Sequence, residues 1–202
     1  MPLTTLDPAP ALVVIDLQKG IVSGAVAYAV PRAASLTRAF REHDLPVVLV
    51  NVTGRAPGRT DADSRGGHGS AGTLPAGWAD IIDELKRQPG DHLITKRRRS
   101  AFHDTGLDTL LRDLGVIQIV LVGVSTSAGV ESTARSAHDH GYHVVLATDA
   151  MADPDPDSHR HSVERVFPKL GETATSAEIT EFLDRRPGSP DRAAHPPSQT
   201  HR

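Results

Sequence analysis

Three parts of the sequence carry groups that could do chemistry, and each comes directly after a short apolar run. They are Asp16, Lys96 and the small-residue segment 123–129. Burial raises the pKa of a carboxyl group into the range of a general acid or base. A buried lysine beside it lowers the cost of charging both groups and helps to position a proton. Small residues between a strand and a helix expose backbone N–H groups at a positive helix end, which suits a bound anion.

Each of these features also has a purely structural interpretation. Asp16 fits a helix cap or a turn residue equally well. Lys96 opens a run of four cations, residues 96–99, and such a run is typical of a solvated face. The small residues of segment 123–129 would also let a helix pack closely against a strand. Taken alone, these residues leave both interpretations open.

The surrounding pattern predicts the elements that would position these groups. Short apolar runs bounded by turn residues predict buried strands, and helix-period segments lie between them. The expected strands are residues 11–15, 47–50, 92–95, 118–122 and 144–148, and the expected helices are residues 31–43, 78–87, 107–114, 129–140 and 157–168. We therefore expect an α/β fold of three layers, a doubly wound and mostly parallel sheet of about six strands with helices on both faces. Ligands bind at the carboxyl ends of such strands, so Asp16, Lys96 and segment 123–129 should converge.

The length of 202 residues fits one domain, for which we predict the bounds 1–184. Residues 185–202 contain four prolines and no apolar periodicity, which predicts a disordered tail. Residues 53–76 are rich in Gly, Arg, Asp and Ser and predict a long loop beside the site. Its arginines, Arg55, Arg59 and Arg65, could clamp an anionic substrate or simply make the loop soluble.

Composition excludes several classes of function. A formal net charge of −3 gives no electrostatic reason to expect a nucleic-acid partner. No apolar run is long enough to cross a membrane, and the N-terminal residues lack the pattern of a signal peptide, so we expect a cytoplasmic protein. The sequence contains no cysteine, which excludes disulfides, thiolate metal sites and thiol nucleophiles.

The motifs around the three segments, read in order, resemble the isochorismatase-like superfamily of cysteine hydrolases over roughly residues 9–184. The similar residues are Asp16-x-Gln18, then Lys96 with Phe102 six residues later, then Gly123-Val124-x-Thr126-x-x-Gly129-Val130-Glu131-Ser132-Thr133-Ala134-Arg135. The resemblance implies that Asp16 and Lys96 are the acid–base aspartate and its lysine. It also implies a cis peptide bond between Val124 and Ser125.

The resemblance places Gly129 where the amidohydrolases of this superfamily carry the nucleophilic cysteine. Glycine cannot form the thioester of those enzymes, and we do not expect a neighbouring serine to replace the thiol. True isochorismatases also resemble this chain in having glycine there. They cleave a vinyl ether by protonating carbon and adding water, without a covalent intermediate. The resemblance therefore implies a hydrolase of this type, although residues 17–21 differ from the stretch associated with isochorismate. The alternative is an inactive or repurposed homologue that binds a small molecule.

Further site residues follow from the same resemblance. Gln18 is expected to orient the aspartate or a water molecule, and backbone N–H groups near Ser125 and Gly129 to bind developing negative charge. The full set of expected substrate-binding residues is Gln18, Val124, Ser125, Phe102 and Arg98.

We expect neither a metal nor an organic cofactor. Nicotinamidases of the superfamily bind a zinc-type ion through an Asp-x-His pair after the second strand, where this chain has Asn51, Val52 and Thr53. The histidines of the sequence do not show the spacing of a zinc site. The expected partners are a small-molecule substrate and further copies of the chain, in a homodimer or homotetramer.

Overall fold

The protein is a single α/β unit in the computed structural model, which describes residues 3–54, 61 and 74–186. Six strands form one sheet in the order β3-β2-β1-β4-β5-β6, and every neighbouring pair is parallel. The strands are β1 (Pro10–Ile15), β2 (Val47–Val52), β3 (His92–Lys96), β4 (Gln118–Val124), β5 (His143–Ala152) and β6 (Glu172–Ala174). The predicted doubly wound fold is confirmed.

Helices cover both faces of this sheet. Within residues 3–54 and 74–186 the α-helices are α1 (Val30–Glu42), α2 (Leu107–Asp113), α3 (Glu131–Asp139), α4 (Pro156–His161) and α5 (Ser176–Asp184). One apolar core packs α1 and α5 against the side chains of Leu12, Val14 and their neighbours. The other packs α2 and α3 against Val13, Ile15 and their neighbours. The central strands appear in the sequence as continuous apolar runs because the two cores bury both of their faces.

Two elements at the end of the chain were not predicted from the sequence. Strand β6 has only three residues, and two of them, Glu172 and Thr173, are polar. Helix α5 begins at a capping box, in which the Thr175 side chain accepts a hydrogen bond from Glu178 N while the Glu178 side chain accepts one from Thr175 N. The spacing Thr-x-x-Glu is visible in the sequence and could have predicted this helix.

The predicted helix over residues 78–87 was wrong. This segment contains only a 3-10 turn, Asp83–Leu85. Its carbonyl groups are used elsewhere, since Lys19 N donates to Asp80 O (2.8 Å) and Gly20 N donates to Trp78 O (2.9 Å). These bonds replace the i to i−4 bonds that an α-helix would need.

The strand order reverses between β1 and β4, which are neighbours in the sheet although β2 and β3 lie between them in sequence. Ligands of open α/β sheets bind at this switch point, outside the carboxyl ends of the strands. The two strands approach very closely there. A Cβ on Gly123 would lie 2.0 Å from Ile15 O, and Gly123 has φ of +119°, so both the contact and the backbone require glycine.

Several expectations fall on other parts of the chain. Arg55, Arg59, Arg65 and the tail beyond residue 186 lie outside the described residues. Within the described ranges, no helix combines the length and the apolar character needed to cross a membrane.

Candidate active site

Asp16 and Lys96 meet at the carboxyl edge of the sheet, as expected from the sequence. Lys96 Nζ donates a hydrogen bond of 2.7 Å to Asp16 Oδ2, and both residues are buried, with Lys96 2% and Asp16 5% exposed. Asp16 leaves β1 in a left-handed conformation with φ of +53°, while its N–H still donates to Val50 O at 2.9 Å. Few residues other than glycine adopt this conformation, and aspartate is one of those that tolerate it.

The electrostatics of Asp16 suit an acid that works near neutral pH. Burial raises its pKa from 3.8 to about 6, and the charge and hydrogen bond of Lys96 oppose this rise. Its second oxygen, Oδ1, is buried and has no hydrogen-bond partner among the described residues. Such an orphaned atom is costly unless a ligand, a water molecule or its own proton satisfies it. Oδ1 is therefore the atom available for proton transfer.

Lys96 is fixed by the loop that follows its own strand. Besides its bond to Asp16, its Nζ donates to Arg99 O at 2.9 Å. An ammonium group has three donors, so one further N–H remains for a ligand after these two bonds. The lysine can thus hold the Asp16 carboxylate and contact a third group at the same time.

Gly129 lies directly beside this pair. A Cβ at position 129 would be 3.1 Å from Asp16 Oδ2, 3.0 Å from Ile15 Cγ2 and 3.3 Å from Val124 O. A side chain at this position would therefore point at the carboxylate. The assignment of Gly129 to the nucleophile position stays a prediction, and the full sequence contains no cysteine that could supply a thiol from elsewhere.

Gly129 belongs to a wide turn, residues 125–130, which we call the Gly129 turn. It links β4 to α3 and includes a π-helical turn, Thr126–Val130. The peptide bond between Val124 and Ser125 is cis, as expected. Ala128 N and Val130 N both donate to Ser125 O, at 3.1 and 3.2 Å. These two amides are committed within the turn, so the expected anion binding by backbone N–H groups near Ser125 and Gly129 stays a prediction.

The hydrogen bonds of the Gln18 side chain go to main-chain atoms and not to Asp16, which corrects the expectation that Gln18 orients the aspartate. Its amide oxygen accepts from Val52 N at 2.8 Å, and its amide nitrogen donates to Val52 O at 3.1 Å and Trp78 O at 3.3 Å. The side chain is completely buried. Because both donors and the acceptor are bonded to the main chain, Gln18 fastens the loop after β1 to the end of β2.

The side chain of Phe102 is buried. Its ring stacks on His140 with 5.0 Å between the ring centroids, and it packs in the apolar core beneath α2 and α3. His140 is the C-cap residue of α3. A substrate contact for Phe102 stays a prediction.

Arg98 lies in the loop after β3. With Thr95 and Arg97 it lines a cavity of about 390 Å³ whose lining includes neither Asp16 nor Lys96. A substrate contact for Arg98 stays a prediction.

Thr133 is a site residue that was not predicted from the sequence. Its hydroxyl donates to Gly129 O at 2.7 Å and accepts from Ala101 N at 3.1 Å, and it is completely buried. It therefore joins the Gly129 turn to the loop after β3, which also holds Lys96. Its place four residues after Gly129, one helical turn along the same motif, could have suggested this role.

The expected absence of a metal stays a prediction. In the part of the chain that the structure describes, no group of three or more His, Cys, Asp or Glu side chains could hold an ion. Asn51, near the place of the metal-binding pair of nicotinamidases, donates from Nδ2 to Ala79 O at 2.8 Å.

Comparisons with known proteins agree with the fold and the motifs. The isochorismatase domain family matches residues 10–178. The chain is 41% identical to the isochorismatase family protein YwoC of Bacillus subtilis over 180 residues, which cover 85% of this chain and 92% of YwoC. An isochorismatase family protein from Burkholderia thailandensis superposes with a TM-score of 0.82 at 37% identity, covering 89% of this chain and 98% of that one. N-carbamoylsarcosine amidase from Thermoplasma acidophilum superposes with a TM-score of 0.69 at 28% identity, covering 83% of this chain and 96% of that one.

Proposed function

This chain belongs to the isochorismatase family of hydrolases, and we propose that it hydrolyses a small molecule by acid–base chemistry of Asp16 and Lys96, with water as the nucleophile. The observation that carries the proposal is the buried pair beside Gly129, a carboxyl group with a pKa of about 6 and an unpartnered oxygen, held by an ammonium at 2.7 Å. Cleavage of a vinyl ether, as in isochorismate, fits these groups best because it needs an acid and no covalent nucleophile.

The proposed reaction begins with the protonated form of Asp16. The proton moves from the carboxyl group to the terminal carbon of the vinyl ether, which leaves an oxocarbenium ion and the Asp16 carboxylate. Lys96 stabilises this carboxylate through its bond to Oδ2. Water then adds to the oxocarbenium carbon and returns a proton to Asp16. The resulting hemiketal breaks into a ketone and an alcohol, so the protein ends in its starting state.

Hydrolysis of a ureido or carbamoyl amide is the second candidate. The similarity to N-carbamoylsarcosine amidase favours it. Without a thiol, the water itself would attack the carbonyl carbon, and the Asp16 carboxylate would accept the proton of that water. The tetrahedral intermediate would then break its C–N bond, and Asp16 would return the proton to the leaving nitrogen. This route needs the deprotonated form of Asp16, whereas the vinyl ether route needs the protonated form. The two candidates therefore differ in their dependence on pH.

A substrate panel in heavy water tests the proposal. The purified protein is incubated with isochorismate, with small amides and with carbamoyl amino acids, and the products are analysed by mass spectrometry. Vinyl ether hydrolysis in D₂O places one deuterium on carbon, at the former vinyl position. Turnover of isochorismate with this label supports the proposal. Turnover of a carbamoyl amide alone supports the second candidate and contradicts the first.

The panel needs a control for contaminating hydrolases. The Asp16→Asn variant keeps the shape of the side chain but cannot transfer the proton. Turnover that is lost in this variant therefore comes from this protein and not from a contaminating hydrolase. The expected cytoplasmic location and the homo-oligomeric state stay predictions.

A further inference from the structure

The Gly129 turn is held from one side by residues 153–162, which follow β5. The contacts are hydrogen bonds, and each joins a residue in or next to the turn to a side chain of this segment. Asp153 Oδ2 accepts from Ser127 N (2.8 Å) and Ser127 Oγ (2.7 Å), His159 Nδ1 lies 2.8 Å from Thr126 Oγ1, and Ser162 Oγ donates to Glu131 Oε2 (2.7 Å).

Asp153 makes the most direct of these contacts. It is 8% exposed, and its other oxygen accepts from Asp155 N at 3.1 Å. Hydrogen bonds to a carboxylate are shorter and stronger than those between neutral groups. Loss of this carboxylate would leave the amide and the hydroxyl of Ser127 without their acceptor.

Ser127 lies two residues before Gly129, and the Cβ direction of Gly129 faces the Asp16 carboxylate. A Cβ there would be 3.1 Å from Asp16 Oδ2. Burial is the largest cause of the raised pKa of Asp16. A turn that moved outward would admit water beside this carboxyl group and would reduce the effect of burial.

We propose that Asp153 is a positioning residue, which holds Ser127 so that the Gly129 turn covers the Asp16 carboxyl group. The effect of Asp153 on catalysis rests on the proposed function, because an Asp16 that is protonated and shielded from water is the acid of that reaction. Asp153 itself does not contact the reacting atoms. It acts through Ser127 and the backbone of the turn.

The test compares Asp153→Ala with Asp153→Asn. Asparagine keeps an oxygen that can accept from Ser127, whereas alanine does not, and both variants remove the same charge. The control is Asp157→Asn, because Asp157 is an exposed residue of the same segment whose carboxylate pairs with Arg160. The measurements are the titration of the Asp16 carboxyl carbon by NMR and the hydrogen exchange of the Ser127 amide.

We expect the pKa of Asp16 to fall by about one unit in Asp153→Ala, since partial solvation removes part of the desolvation effect. The Ser127 amide should exchange at least about tenfold faster in this variant, because its hydrogen bond is lost. Asp153→Asn and Asp157→Asn should keep the titration of the parent protein. A folded Asp153→Ala protein with unchanged Asp16 titration would overturn the proposal.

Two further measurements make the result independent of folding and of the substrate. If Asp153→Ala does not fold, Ser127→Ala removes only the hydroxyl bond, and it should lower the pKa of Asp16 by a smaller amount. An unchanged pKa in that variant counts against the proposal. The titration needs no substrate, so its outcome stands even if the proposed function fails. With a substrate in hand, Asp153→Ala should lower kcat and leave KM nearly unchanged.

Discussion

A Cβ on Gly129 would lie 3.1 Å from Oδ2 of Asp16, which is closer than ordinary van der Waals contact. The carboxylate therefore already occupies the space next to the nucleophile position. In the proposed reaction, Asp16 acts without a thiol at this position.

A methyl group at position 129 should reduce activity without unfolding the protein. In Gly129→Ala, Asp16 or Ile15 has to move by a few tenths of an ångström to accept the Cβ. We expect kcat to fall by about tenfold, because small displacements of a catalytic group are costly. Gly90→Ala is the matched control, since nothing lies within 4 Å of a Cβ at Gly90. Equal kcat values for the two variants would contradict this account of the Gly129 contact.

The pH dependence of turnover should follow the titration of Asp16. The proposed acid must be protonated, and its pKa is raised by burial to about 6. We therefore expect kcat/KM to be highest below pH 6 and to fall about tenfold for each pH unit above it. The measurement is a pH–rate profile with the substrate found in the panel. A profile that rises through pH 6 would mean that Asp16 acts as a base, as in the second candidate reaction.

The same titration predicts how stability changes with pH. The folded protein holds the proton of Asp16 up to about pH 6, whereas the unfolded chain releases it near 3.8. Protonated Asp16 therefore stabilises the fold fully below pH 3.8, the pKa of the unfolded chain. This contribution is lost as the pH rises through about 6, the pKa of the folded protein. Relative to Asp16→Asn, the free energy of unfolding should fall by about 3 kcal/mol over this interval. Urea unfolding of both proteins at several pH values measures the difference, and parallel curves would contradict the raised pKa.

The Thr133 hydroxyl should matter for both stability and activity. Thr133→Val removes a donor to Gly129 O and an acceptor for Ala101 N. Thr37→Val is the matched control, because Thr37 is equally buried and donates to Ala33 O at 2.8 Å in the same i to i−4 geometry. We expect Thr133→Val to cost about 1–3 kcal/mol of stability, since it leaves a buried N–H unpaired.

The two threonine variants should also differ in turnover. Thr37 lies on α1, which packs on the opposite face of the sheet from α3. Thr133→Val should lower kcat because it frees the Gly129 turn from the loop after β3, whereas Thr37→Val should not. A similar loss of activity in both would show that the effect comes from general stability.

The centre of the sheet and the meeting of Asp16 with Lys96 could be predicted from the sequence. Strands that are buried on both faces appear as apolar runs, and the run before Asp16 is of this kind. Parallel topology then brings the carboxyl ends of such strands to one edge. Asp16 follows the buried strand β1 and Lys96 is the last residue of the edge strand β3, so both lie at this edge of the sheet.

The contacts made through backbone atoms could not be predicted in this way. Gln18 has the residue type and position of a catalytic amide, yet its partners are the main-chain atoms of Val52 and Trp78. Contacts of the same loop prevent residues 78–87 from forming the helix that their apolar spacing indicates. Asp153 lies 26 residues after Ser127, and only the folded chain brings the two together.

The most direct test of the central claim is the turnover of Asp16→Asn compared with Asp91→Asn. Asp91 is also a buried aspartate paired with a cation, since its carboxylate accepts from Arg41 at 2.6 and 3.0 Å, but it lies outside the site. We predict that Asp16→Asn lowers kcat by about 100-fold or more, while Asp91→Asn loses stability and keeps its kcat. A folded Asp16→Asn protein that turns over substrate at the rate of the parent would contradict the account.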